Sequence, residues 1–117
     1  MGLAEHKVID AGAMTGTAVV TSKATSLRTL KLASYQAKWS GTPTGTFKVE
    51  ASNDRDPDRN ADANWVEVTL DRPPANPAGS ASGWLLDLTD LPFAWVRLVY
   101  TNASGTGTLD AWFHGRG

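Results

Sequence analysis

The sequence predicts an all-β fold, an antiparallel β-sandwich or jelly roll of seven to eight strands, on three observations. Apolar and polar residues alternate in every long segment, and no run follows the 3.6-residue period of a helix. Clusters of Gly, Pro, Asn and Ser interrupt that alternation at short intervals. The five tryptophans and abundant threonines suit a pleated, half-buried surface better than a helix.

Residues 1–16 carry Gly2, Gly12 and Gly16 with weak periodicity, and read as an N-terminal arm with at most a short strand around residues 7–10. The rest, 17–117, reads as a single β-sandwich domain. Residues 17–22 (TAVVTS) form a strand. Residues 27–40 change phase, because Leu30 and Leu32 share one parity while Tyr35, Ala37 and Trp39 share the other. A one-residue slip turns every side chain over, so a bulge or strand break is expected at Ala33 and Ser34. In residues 46–52, Phe47, Val49 and Ala51 face inward against Lys48 and Glu50. The strand halts at Ser52-Asn53-Asp54, whose side chains bond nearby backbone in place of a ladder partner.

Residues 65–70 put Val66, Val68 and Leu70 on one face. The loop 71–83 (DRPPANPAGSASG) cannot be a central strand, since proline donates nothing to a ladder. Strands at 84–88, 93–101 and 108–114 complete the chain, with Leu86, Leu98 and Phe113 inward and 115–117 as a free tail. "SGTPTGTFKV" and "SGTGTLDAW" repeat Ser-Gly-Thr and Gly-Thr between alternating strands, and both read as hairpin connections. With strands alternating in direction, turns 41–45, 71–83 and 102–107 gather at one end and 23–26, 53–63 and 89–94 at the other. The first end holds few charges, Asp71 and Arg72 among them, which lowers the desolvation cost of docking a protein there.

The bulk composition excludes several classes of function. There is no cysteine, hence no disulfide, thiolate metal site or cysteine nucleophile. A net charge of −1 leaves no excess for binding nucleic acid. The start, MGLAEHKVID, has no apolar run that reads as a signal peptide or membrane span, and His6 stands where a myristoylation signal wants Ser or Thr. The expectation is no membrane and no lipid anchor.

Each candidate site has a plainer structural explanation. Asp56, Asp58, Asn60, Asp62, Asn64 and Glu67 fall at calcium-loop positions, but Ala61 stands where the sharp turn wants Gly, and strands rather than helices flank the segment. A solvated polar loop is the expectation there, with no metal and no cofactor. Trp39 and Trp84 share parity with apolar neighbours and belong to the core, whereas Trp95 and Trp112 fall on the opposite parity. Those two, with Pro43, Pro73 and Pro74, are the candidate interface residues for a protein partner, or the start of a sugar platform. His6 and His114 are too scattered to hold a metal, and Asp110 and His114 are separated by about 13 Å of strand rise. No nucleophile elbow, phosphate loop or singled-out carboxylate pair appears, so no catalytic residue is named and an enzyme is not expected. Asn102-Ala103-Ser104 fits a glycosylation sequon, relevant only on a eukaryotic secretory route.

The segments FKVEASND and NWVEV, then FAWVRLVYT and GTLDAWFHG, resemble the galactose-binding-like, discoidin-type jelly roll over the last two-thirds of the chain. A closer resemblance, over most of residues 35–115, is to small structural proteins of tailed bacteriophages that share the layout of WSGTPTGTFKVEASND, a later Trp, VRLVYT and SGTGTL. That resemblance implies a non-enzymatic virion protein, most specifically a capsid decoration (cement) protein. Its partners would be the major capsid protein or other virion proteins, and it would self-associate as a homo-oligomer, a trimer for preference. The alternative is a carbohydrate-binding module of a tail fibre or baseplate. The sugar-contacting residues of the discoidin-type lectins have no clear counterparts here, and none is carried over.

Overall fold

The computed structural model describes residues 3–54, 64–88 and 91–117, and shows nine strands with no helix among them. They are β1 (Leu3–Met14), β2 (Val19–Thr21), β3 (Thr25–Ser26), β4 (Leu32–Trp39), β5 (Thr44–Ser52), β6 (Val66–Glu67), β7 (Ser82–Asp87), β8 (Trp95–Ser104) and β9 (Gly107–Arg116). Every pairing is antiparallel. One sheet runs β1-β9-β4-β7; the other runs β2-β8-β5-β6, with β3 also on β8. The two sheets form a sandwich, because alternate residues of each strand are apolar and meet in one core. Tyr35, Ala37 and Trp39 of β4, Leu109, Ala111 and Phe113 of β9, Phe47 and Val49 of β5, and Val96, Leu98 and Tyr100 of β8 are all buried there. Phe47 packs edge-on to Trp84 and tilted against Trp39 and Tyr100, which locks the two sheets at one end of the core.

Residues 3–14 are not an arm. They pair with β9 along its whole length and place Val8, Ile9 and Met14 in the core. Two register shifts, between Lys7 and Ile9 and between Ile9 and Gly12, bulge this strand. The first bulge lets the adjacent residues Val8 and Ile9 both point inward, which breaks the period of two and hides the strand from a parity reading.

The expected break at Ala33 and Ser34 lies elsewhere. β4 keeps its register with both neighbours from end to end, and the chain turns before it, where the Leu30 amide donates to the Leu27 carbonyl. Leu32 is on the outer face and 43% exposed, so its parity said nothing about the core. Val66, expected inside, is 66% exposed, because β6 is a two-residue strand at the sheet's edge. The tail is strand as far as Arg116, with Gly115 buried.

The stop after β5 works as its sequence implies. Ser52 Oγ accepts from the Asp54 amide at 3.0 Å, and Asn53 Oδ1 accepts from the Ala94 amide at 2.9 Å. The calcium-like segment lies, for residues 55–63, outside the described residues.

A candidate docking surface at the uncharged end

The two Ser-Gly-Thr segments are not hairpins. β4 and β5 belong to different sheets, as do β8 and β9, so each segment carries the chain across the sandwich. Residues 15–18 between β1 and β2, and the loop from β6 to β7, do the same at this end. Four crossings therefore close one end of the molecule. Their segments 15–18, 40–46, 75–82 and 103–108 contain no charged residue, and the charges of the β6–β7 loop, Asp71 and Arg72, stand exposed ahead of its part 75–82.

The crossings are bonded to each other. The Thr42 amide donates to the Thr106 carbonyl at 2.8 Å, the Gly79 amide to the Pro43 carbonyl at 2.9 Å and the Gly45 amide to the Pro77 carbonyl at 3.3 Å. Asn76 Oδ1 accepts from the Phe47 amide, and the Trp39 indole donates to the Ser80 carbonyl at 3.0 Å. The fourth crossing is held by Asn102, a buried amide in β8. Its Nδ2 donates to the Gly16 carbonyl at 2.9 Å and to the Gly105 carbonyl at 3.3 Å, and its Oδ1 accepts from the Tyr100 hydroxyl. Burial pushes the Tyr100 phenol above its ordinary value, so it stays a donor across the physiological range. Asn102 escaped the sequence reading. The signal available was a polar residue on the inward parity of β8, which needs partners if buried.

Glycine is required where the two echo turns meet. Gly105 has φ +74°, and a Cβ there would lie 2.1 Å from the Thr42 carbonyl oxygen. Gly41 has φ +81° and faces the Thr106 oxygen in the same way. The repeat in the sequence thus becomes a reciprocal contact in space. What remains outward is small and neutral: Thr17, Thr42, Thr44, Ala78, Ser80, Ser104 and Thr106 are exposed.

The five candidate interface residues do not gather. Trp95 lies on β8 and Trp112 on β9, on the outward faces of opposite sheets. Both are half-buried, with Arg28 over the Trp95 ring at 5.6 Å and Lys7 over the Trp112 ring at 5.5 Å. Pro43 is fully buried and offers no surface, while Pro73 is exposed and Pro74 half-buried.

Charge is concentrated on the outward sheet faces. Glu50 lies 2.7 Å from Arg97 Nη2 and 3.2 Å from Lys48, and Arg97 also stacks over Trp65 at 4.2 Å. Burial pushes the Glu50 carboxyl up, but the hydrogen bonds from Arg97 and Lys48 outweigh it and hold the group below its ordinary value. Around Trp112, a depression of about 470 Å³ is lined by Glu5, Lys7, Gln36, Lys38 and His114. Among the described residues no group of three or more His, Asp or Glu side chains is placed to hold a metal ion.

A scan of protein-family models and a search of curated proteins return no match for this chain.

Proposed function

We propose that this chain is a non-enzymatic structural protein of a phage virion, a capsid decoration protein that docks through its uncharged end. The observation that carries the docking reading is the set of four crossings tied together by backbone hydrogen bonds and by Asn102. A surface already fixed in shape loses little conformational entropy on binding, and one without charge loses little solvation. The placement in a virion rests on the resemblance of residues 35–115 to small phage structural proteins. The partner is the major capsid protein or another virion protein.

The test is a binding titration of the chain on purified particles lacking it. Ala78→Arg and Thr106→Arg, both at exposed turn positions, should weaken binding at least tenfold, or about 1.4 kcal/mol, with unchanged melting. Full binding by both folded variants would remove this end from the contact. Absence of the chain from purified particles of its source would remove the virion placement.

A second reading, carbohydrate binding on a fibre or baseplate, is favoured by Trp112, whose flank carries Gln36, Lys38 and His114 on an open sheet face. Glycan-array binding lost in Trp112→Ala would support it over the first.

A further inference from the structure

We infer that β7 pairs with β7 of a second copy of this chain, antiparallel about a two-fold axis, joining two four-stranded sheets into one of eight strands. The inference is independent of the virion reading.

An unpaired strand edge presents a row of backbone donors and acceptors that only another strand satisfies in full, and folded proteins blunt such edges. Among the described strands, three of the four sheet edges are blunted. β1 carries two bulges, with Ala11 at φ +52° and its amide bonded to Asp110 Oδ1. β2 and β3, which share one edge, are three and two residues long. β6, at the opposite edge of that sheet, has two residues. β7 is the exception: six residues, SGWLLD, with no register shift against β4 and no proline or lysine. Leu85 on it is 77% exposed. Among the described strands, none pairs on its outer side.

The register fixes which backbone groups point outward. The Leu88 amide donates to the Ala33 carbonyl, continuing the ladder in which Leu86 faces Tyr35 and Trp84 faces Ala37. Residues of even number on β7 therefore spend their backbone groups on β4, and Gly83 and Leu85 direct theirs to the open edge. These two are spaced for self-pairing. With Gly83 opposite the partner's Leu85, symmetry sets Leu85 opposite the partner's Gly83, and the four groups on each chain are satisfied. On the outer face, each exposed leucine then lies over the other chain's glycine, where there is no side chain. On the inner face, Trp84 meets its own copy at a non-hydrogen-bonded position, where aromatic pairs approach closely. No like charges face each other across the axis in this register. This pairing is two-fold, unlike the trimer preferred under the phage resemblance.

Sedimentation of the full chain from micromolar to millimolar concentration should show a monomer–dimer equilibrium. Leu85→Lys, at an exposed position, should weaken it at least tenfold, with melting at infinite dilution unchanged. In the native chain, hydrogen exchange at the Leu85 amide should slow by about tenfold or more as concentration rises, while Leu86, already bonded to β4, does not respond. A chain that stays monomeric at millimolar concentration overturns the inference. So does a dimer that a folded Leu85→Lys variant forms equally well, or one in which Leu85 exchange ignores concentration.

Discussion

The Tyr100 hydroxyl donates to Asn102 Oδ1 at 2.8 Å, two residues further along the same strand, and both side chains are buried. The bond leaves Asn102 Nδ2 aimed at the carbonyls of two separate crossings. Tyr100→Phe should cost about 1–3 kcal/mol, because Oδ1 is left buried and unpaired. Tyr35 provides the contrast. Its hydroxyl is buried without a hydrogen bond of good geometry, and burial, outweighing the opposing influence of Ser22, pushes its phenol far above the ordinary range. Tyr35→Phe should therefore be neutral or stabilising by up to about 1 kcal/mol. Urea denaturation of the two variants checks the pair, and equal losses would refute the assignment.

Gly105→Ala and Gly79→Ala separate crowding from backbone strain. Both glycines have positive φ, at +74° and +87°. A methyl group at 79 meets nothing within 4 Å, whereas one at 105 strikes the Thr42 carbonyl. Gly79→Ala should cost about 1–2 kcal/mol from the left-handed conformation alone. Gly105→Ala should cost clearly more, since two crossings must part to admit the methyl. Thermal melts of the two variants measure the difference.

Glu50 links stability to acid. Its folded carboxyl titrates below the ordinary value of 4.5, so the unfolded chain takes up the proton first as pH falls. The contribution is present above that value and is lost progressively below it. The urea midpoint should fall from about pH 4.5 downward, and Glu50→Gln should show a shallower fall over the same range. Parallel pH profiles for the two proteins would show that the Arg97 and Lys48 contacts do not carry this effect.

Removing residues 2–14 should unfold the domain at ordinary temperature. The deletion takes Val8, Ile9 and Met14 from the core and exposes the flank of β9. Burial of three such side chains is worth about 5 kcal/mol or more, against a total of about 5–15 kcal/mol for a domain. Circular dichroism on the truncated chain decides it, and a cooperative melt near that of the full chain would show β1 to be dispensable.

The strands that alternate strictly were legible in the sequence, and those that bulge or lie at an edge were not. β9 buries every second residue, and β5 does so as far as Val49, so Phe47, Val49 and Phe113 declared themselves. β1 hid behind Val8 and Ile9, neighbours that a bulge turns to the same side. Val66 and Leu32 misled because parity tells which way a residue points, not whether anything covers it there. The uncharged end was visible as composition, and alternation of strand direction placed its turns together. That its echo segments cross between sheets was not, because a hairpin and a crossing both ask for Gly and Thr and differ only in the long-range partners of the flanking strands.

Leu3 stands opposite Arg116 in the pairing of β1 with β9, so the backbones of these two residues lie about 5 Å apart, at the pole away from the four crossings. A short peptide could join Arg116 to Leu3 and close the domain into a circle, and the ring could be reopened at the exposed Gly79 turn, giving a circular permutant with the same sheets in a new chain order. The same adjacency means that a cargo fused before β1 or after β9 hangs from the same pole, and the domain would carry it as a handle facing away from the four crossings.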